Sequence, residues 1–195
     1  MEVTGIAPPH CPPNLGIRLG ITSRHDAELT LDADQTPPPF PPFLTLPAQS
    51  GAIFPTILSI ITIKQDSDLT GDAESLYYEA DQWIRDLFAQ KGISTHLDTT
   101  FAHHFTTLLI IDPSTRQLVA TCEAVFMRKY LWIEVLAVKD TWRRRGVGRA
   151  IMERLMSWAK GRSKEMGLFA VWSAVPFYDS LGLGDSSKWP PKQVK

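Results

Sequence analysis

The placement of proline is the feature that most narrows what this chain can fold into. Eleven of its 15 prolines lie within residues 1–55 of 195, including the run Pro37-Pro38-Pro39-Phe40-Pro41-Pro42. Proline fixes φ and removes a backbone donor, so this stretch favours extended polyproline conformations over helix or sheet. The same stretch is mildly acidic. Residues 1–54 are therefore expected to form a Pro-rich, largely disordered extension, with a local hairpin around Leu15–Leu31 the one candidate for structure in it. The polyproline run has the composition of an SH3-type ligand, although a passive spacer is the simpler reading.

Beyond residue 55 the pattern becomes orderly. Residues 57–64 (ILSIITIK) are short and β-branched, which predicts a strand. Leu76, Ala80, Trp83, Ile84 and Leu87 then recur along one helical face, with Thr70 or Asp72 available as caps and Gly92 as a stop. Runs at 106–111 and 117–126 flank Asp112-Pro113-Ser114-Thr115-Arg116, a turn composition that predicts a hairpin. A strand at 131–138, a helix at 149–163, a strand at 168–172 and a short helix at 176–181 complete the series. The order β-α-β-β-β-α-β-α predicts a mixed α/β domain around one central sheet, spanning 55–186 with a tail at 187–195.

Composition excludes several classes. The longest apolar run, residues 51–63, contains Pro55 and falls short of the roughly 20 residues a membrane span needs. The N-terminus lacks the basic and apolar regions of a secretory signal. Cys11 and Cys122 cannot build a disulfide framework or a metal site, and the adjacent His103 and His104 point oppositely on extended backbone. No metal is expected, and the location expected is cytoplasmic or nuclear.

The chemistry gathers in LWIEVLAVKDTWRRRGVGRAIMERLMSW. A strand passes through Arg143-Arg144-Arg145-Gly146-Val147-Gly148 and enters an amphipathic helix. The first N–H groups of a helix have no internal partner and the dipole is positive there, so this loop is a cradle for phosphate. Gly146 and Gly148 allow close approach. Residues 128–164 carry eleven Lys/Arg against three Asp/Glu, in a chain of net charge −1. The loop is neither a P-loop nor a Rossmann fingerprint, since position 151 is Ile rather than a third glycine. A solvated basic helix start, or one that touches nucleic acid, is the bland alternative.

RRRGVG resembles the Arg/Gln-x-x-Gly-x-Gly/Ala signature of the GNAT acyltransferases, the acetyl-CoA-dependent N-acetyltransferase superfamily. Residues 174–183 (AVPFYDSLGL) are similar to that family's late A-x-x-FY-x-x-LGF segment. The resemblance covers about residues 55–184. It implies a bulged strand that splays from its neighbour, so that the pantetheine arm of acetyl-CoA bonds the main chain near Leu136, Ala137 and Val138. The pyrophosphate would rest on the amides of Arg143, Arg144, Arg145, Gly146, Val147, Gly148 and Arg149. It further implies direct transfer of the acetyl group to a primary amine in a ternary complex, with Tyr178 as general acid to the leaving thiolate.

A free aliphatic amine has a pKa near 10.4, so a proton acceptor is needed before attack. Glu134, between Ile133 and Val135 of an apolar strand, is the candidate. Period-2 geometry sets it on one face with Trp132 and Leu136 if no bulge intervenes. Strand alternation that merely sends Glu134 to solvent is the other reading, and packing is the other reading for Tyr178. Trp83 and Trp158 fit helix core faces; Trp132 and Trp172 are packing residues that could also line the acceptor cleft.

Two departures from the family pattern stand out. Ser173 occupies the place where an asparagine often holds the cofactor. Few residues follow Leu183, and Lys188-Trp189-Pro190-Pro191 is a poor strand, so the sheet edge is expected to be open or completed by a partner. That shortening favours the alternative of a catalytically silent acyl-CoA-binding module. A nucleic-acid-binding protein using the arginine cluster is disfavoured by a pI near 6.5 and the absence of a recognisable module.

Overall fold

The computed structural model describes residues 17–19, 40–48, 54–64, 68–92, 105–126, 130–162 and 165–183. Within them lie strands β1 (Ile17–Leu19), β2 (Phe43–Leu46) and β3 (Thr56–Ile63), then helix α1 (Asp72–Gln90). Strands β4 (Phe105–Ile111), β5 (Leu118–Phe126) and β6 (Tyr130–Val138) follow, then α2 (Val147–Gly161), β7 (Glu165–Ala170) and α3 (Val175–Asp179). The strands form one seven-stranded sheet in the order β1-β7-β6-β5-β4-β3-β2, antiparallel throughout except for the β6–β7 pair. Parallel neighbours need a long crossover, and α2 supplies it.

Each face of the sheet is covered by the helix whose apolar stripe fits it. Leu44, Leu58, Ile110, Ala120, Leu131 and Ile133 meet Ile151, Met152 and Leu155 of α2 in the main core. Each such fully buried aliphatic side chain contributes on the order of 1.5–3 kcal/mol. On the opposite face Ala80 and Ile84 of α1 pack over Ile63, Leu109, Val135 and Ala137. Trp158 is buried in the main core, edge-to-face with Phe126 at 4.6 Å, as its helical position predicts; Trp83 sits at the margin, with the Lys139 ammonium 4.5 Å over its ring.

The β4–β5 hairpin follows its turn chemistry. Asp112 Oδ1 accepts hydrogen bonds from the amide and hydroxyl of Ser114 at 2.9 and 2.7 Å, and these bonds hold the Asp112 carboxyl below the usual carboxylate range. Arg116 closes the turn at φ 57.

Several boundaries depart from the sequence reading. Neither Thr70 nor Asp72 caps α1 with its side chain; Gly71, at φ 54, turns the chain into the helix instead. Gly92, at φ 63, stops it as expected. α2 begins at Val147, two residues earlier than the apolar periodicity alone implied, because Gly146 at φ 86 sets up the first turn. β7 begins at Glu165 rather than 168, drawn into register by β6.

The stretch expected as extension contributes two strands. β2 pairs with β3, Leu44 and Leu46 entering the core, and Arg154 of α2 donates to the Phe43 carbonyl at 2.9 Å. β1 pairs with β7 (Ile17 opposite Ala170, Leu19 opposite Leu168), so the strand-like signal near 15–31 is used far away in sequence rather than in a local hairpin. The edge of β7 expected to lie open therefore carries β1. The remainder of 1–54, His103 and His104, and residues 184–195 lie outside the described residues.

Candidate active site

β6 pairs with β7 only as far as Ile133 opposite Leu168, yet β6 continues to Val138. Over residues 134–138 one side of β6 stays paired to β5, Val135 to Val138 lying opposite Glu123 to Ala120. Among the described residues the other side has no strand partner, which leaves alternate main-chain groups facing a gap.

The bulge lies at the same point. β5 residues Glu123 and Ala124 pair with Val135 and Ile133, so Glu134 is the extra residue. It reverses the alternation. Leu131 and Ile133 point into the α2-side core, whereas beyond the bulge Leu136 and Val138 do so, and Val135 and Ala137 face α1. The expectation that Trp132, Glu134 and Leu136 share one face is thus corrected: the inserted residue puts Leu136 on the opposite face from Trp132.

β6 runs through a 3₁₀ turn (Asp140–Trp142) into the arginine loop. Arg143 is extended, Arg144 adopts φ 60 and Gly146 φ 86. Residues in the left-handed region beside a helix start form a concave set of amides, a nest for anions. Trp142 and Arg143 donate their N–H groups back to Lys139 and Asp140, and Ala150 donates to Gly146. Between these, among the described residues, the amides of residues 144–149 make no main-chain hydrogen bond and no side chain caps them. A Cβ on Gly146 would meet nothing within 4 Å. One on Gly148 would lie 3.4 Å from Phe177 Cζ and 3.6 Å from Val138 Cγ2, so this glycine seats the helix against α3 and β6 rather than clearing a path for ligand.

The arginines divide by what they touch. Arg143 donates to the Val138 carbonyl at 3.2 Å and pairs with Asp140 at 2.9 Å, pinning the end of β6. Arg145 stacks 4.9 Å over Trp142. Arg149 bonds Ser180 Oγ at 2.9 Å, tying α2 to α3. Arg144 alone of the four makes none of these contacts and is exposed. A cleft of about 640 Å³ lined by Trp83, Leu87, Lys91, Lys139 and Arg143 opens beside the loop.

Tyr178 is 6% exposed in the α2-side core, its ring 5.0 Å from Phe177. Burial, with a smaller contribution from the Cys122 thiol, pushes its phenol up to about 12. Cys122, which shares the core with Tyr178, lies opposite Leu136 of β6. Cys122 is itself wholly buried and its thiol is pushed far up by desolvation, so it is no nucleophile at neutral pH. Ser173 is exposed on the 3₁₀ turn after β7. Among the described residues no cluster of His, Cys, Asp or Glu could hold a metal, and no helix is long and apolar enough to cross a membrane.

On the α1 face the structure brings up an acid that sequence reasoning missed. Glu123 of β5 lies beside the bulge, near Asp81 and Arg85 of α1 and near Glu134. Burial first, then Asp81 and Glu134, raise its carboxyl to about 7, with Arg85 partly opposing them. Arg85 is engaged by Asp81 at 2.8 Å. The sequence signal was the same as for Glu134: a carboxylate within an otherwise apolar strand.

A parallel strand pair that parts at a bulge and feeds an amide-lined helix start is the architecture of an acyl-CoA N-acyltransferase. The sequence model of the Acetyltransferase (GNAT) family matches residues 73–183, and the chain belongs to that family. Solved structures to which the chain is similar include a Clostridium acetobutylicum predicted acetyltransferase with acetyl-CoA (17% identity, 68% of this chain and 93% of that one, TM-score 0.48). Others are glucosamine-6-phosphate N-acetyltransferase from Arabidopsis thaliana (16%, 65% and 92%, 0.46) and a Trypanosoma brucei acetyltransferase (18%, 65% and 92%, 0.45). The search of curated proteins returned no match.

Proposed function

We propose that the protein transfers an acetyl group from acetyl-CoA directly to a primary amine. The observation that carries this reading is the gap beside residues 134–138 of β6 leading straight to the unengaged amides of residues 144–149. The gap accommodates a slender pantetheine arm on main-chain groups near Leu136 and Ala137, while the loop, with Arg144, receives the pyrophosphate. A main-chain N–H in the gap would polarise the thioester carbonyl and stabilise the tetrahedral oxyanion.

The two candidate side chains approach from opposite faces. Glu134, at the bulge, accepts a proton from the acceptor ammonium; the neutral nitrogen attacks the carbonyl carbon and forms the C–N bond. Collapse breaks the C–S bond. Tyr178, held protonated well above neutrality, donates to the departing thiolate and is restored by the second proton that the nitrogen sheds. Because so high a pKa makes Tyr178 a weak acid, it also favours a second reading, acyl-CoA binding without turnover.

One experiment separates the two. Acetyl-CoA is titrated against the full chain by calorimetry, and turnover is followed with lysine, a peptide N-terminus, spermidine and glucosamine. Binding with turnover that falls at least tenfold in Tyr178→Phe and Glu134→Gln supports the enzyme reading. Binding without turnover establishes the silent module, and absence of binding at millimolar acetyl-CoA removes both.

A further inference from the structure

We propose that the outer edge of β2, with the groove between it and α2, binds the C-terminal end of an extended peptide, which adds as an antiparallel strand and sets its terminal carboxylate on Arg154.

The register defines the edge. Ile60 donates its N–H to the Pro42 carbonyl at 2.7 Å, so Pro42, Leu44 and Leu46 turn their main-chain groups toward β3. Phe43 and Thr45 therefore turn theirs outward, and among the described residues β2 has no second strand neighbour. Residues 43–46 (FLTL) carry none of the charges, prolines or bulges that blunt an exposed edge. On the face away from α2, Phe43 and Ile57 are diagonal neighbours across the β2–β3 pair and stand 54% and 52% exposed. A further strand would cover part of that apolar surface.

The groove supplies the charge. It holds about 500 Å³ between Phe40, Leu44 and Thr45 on one wall and Ala150, Arg154 and Trp158 of α2 on the other. Glu153, on its rim, is paired with Arg149 at 3.6 Å. Arg154 is half-buried and has no acid partner among the described residues; its one bond is the 2.9 Å donation from Nη1 to the Phe43 carbonyl. A guanidinium has five N–H donors, so most of these remain to be used. Burial lowers the Arg154 pKa, and no carboxylate opposes the effect. A partly desolvated cation of this kind is complementary to a carboxylate, which it grips through parallel hydrogen bonds.

Together the edge and the groove fix the direction and the end of the ligand. The edge donors run out at Phe43, because Pro41 and Pro42 before it have no N–H, and the Phe43 carbonyl is taken by Arg154. A strand paired with Thr45 thus advances no farther than Phe43. An antiparallel strand arrives there with its C-terminus, where the carboxylate meets the Phe43 N–H and Arg154 together. A parallel strand would bring an ammonium against the guanidinium. Alternate side chains of the added strand enter the groove, and main-chain bonds to Thr45 supply the rest of the affinity.

The test titrates the full chain by calorimetry with acetyl-Lys-Val-Thr-Val-Thr bearing a free C-terminal carboxylate. A Kd below about 1 mM is expected. The C-terminal amide, and the peptide N-methylated at its central threonine, which lies opposite Thr45, should each bind at least tenfold more weakly. Arg154→Gln should bind the acid no better than the amide. Thr45→Pro, whose lost N–H serves no bond to β3, should bind neither form while still melting cooperatively. Equal affinity of wild type for acid and amide overturns the role of Arg154; full affinity of the N-methylated peptide overturns strand addition; no binding at millimolar peptide overturns both. Valerate that binds as tightly as the peptide, or a wild-type dimer that Thr45→Pro dissociates, also overturns the proposal, in favour of a small-acid pocket or a second copy of the chain.

Discussion

Replacing Glu123 with Gln should stabilise the protein at alkaline pH and do little at acid pH. In the fold this carboxyl titrates at about 7, against 4.5 for an unperturbed glutamate. A group whose pKa is raised by folding gives its full stability below the unfolded value and loses it as pH rises through the folded one. At about 1.4 kcal/mol per tenfold, ionising Glu123 in place costs about 3 kcal/mol at pH 8 and under about 1 kcal/mol at pH 5. Solvent screening of a partly buried carboxyl lowers the difference between the two pH values to about 2 kcal/mol. Glutamine keeps the shape and cannot ionise, so its advantage over wild type should grow by that amount between pH 5 and pH 8. Urea unfolding at both pH values measures it directly, and in thermal melts it corresponds to about 4–8 °C. A stability difference between the two proteins that is the same at pH 5 and pH 8 would refute the argument, because a packing effect of the amide has no reason to follow a titration.

Other consequences are equally open to measurement. Gly146→Ala should cost about 1–2 kcal/mol in urea unfolding, since its φ of 86 suits only glycine while the added methyl meets no atom within 4 Å. Arg144→Ala should weaken acetyl-CoA binding in calorimetry at unchanged melting temperature, whereas Arg143→Ala, which frees the Val138 carbonyl and Asp140, should lower the melting temperature as well. Thr121 is wholly buried and its hydroxyl has no hydrogen-bond partner, so Thr121→Val should raise stability by about 1 kcal/mol in denaturant titrations. Leu155→Ala, beneath α2, should cost about 2–5 kcal/mol by the same assay.

What could be read from the chain were the features that local chemistry writes. The arginine and glycine run announced a helix start with spare amides because each of its parts acts within a few residues. The β4–β5 turn was legible in Asp112-Pro113-Ser114-Thr115-Arg116 for the same reason. The pairing of Ile17 with Ala170 was not, since three extended residues acquire a partner only when the sheet that offers an edge already exists. The bulge was implied by the family resemblance alone: Ile133, Glu134 and Val135 read as plain alternation, and only the register against Glu123 and Ala124 shows where the insertion falls. Glu123 was passed over because LVATCEAVF looks like a buried strand, and its neighbours Asp81 and Glu134 come from other elements, a helix and the following strand.

β1 and β2 occupy opposite rims of the sheet, and a single covalent stretch, residues 20–42, joins them. At about 4.8 Å per strand the rims are roughly 30 Å apart, a span that a tether of this length crosses with slack. Strands from the N-terminal portion therefore finish both rims: Ile17–Leu19 pairs with β7, next to the parted strands, and Phe43–Leu46 pairs with β3. The sheet of a family domain matched from residue 73 thus takes both of its edge strands from residues 17–46, ahead of it in the sequence.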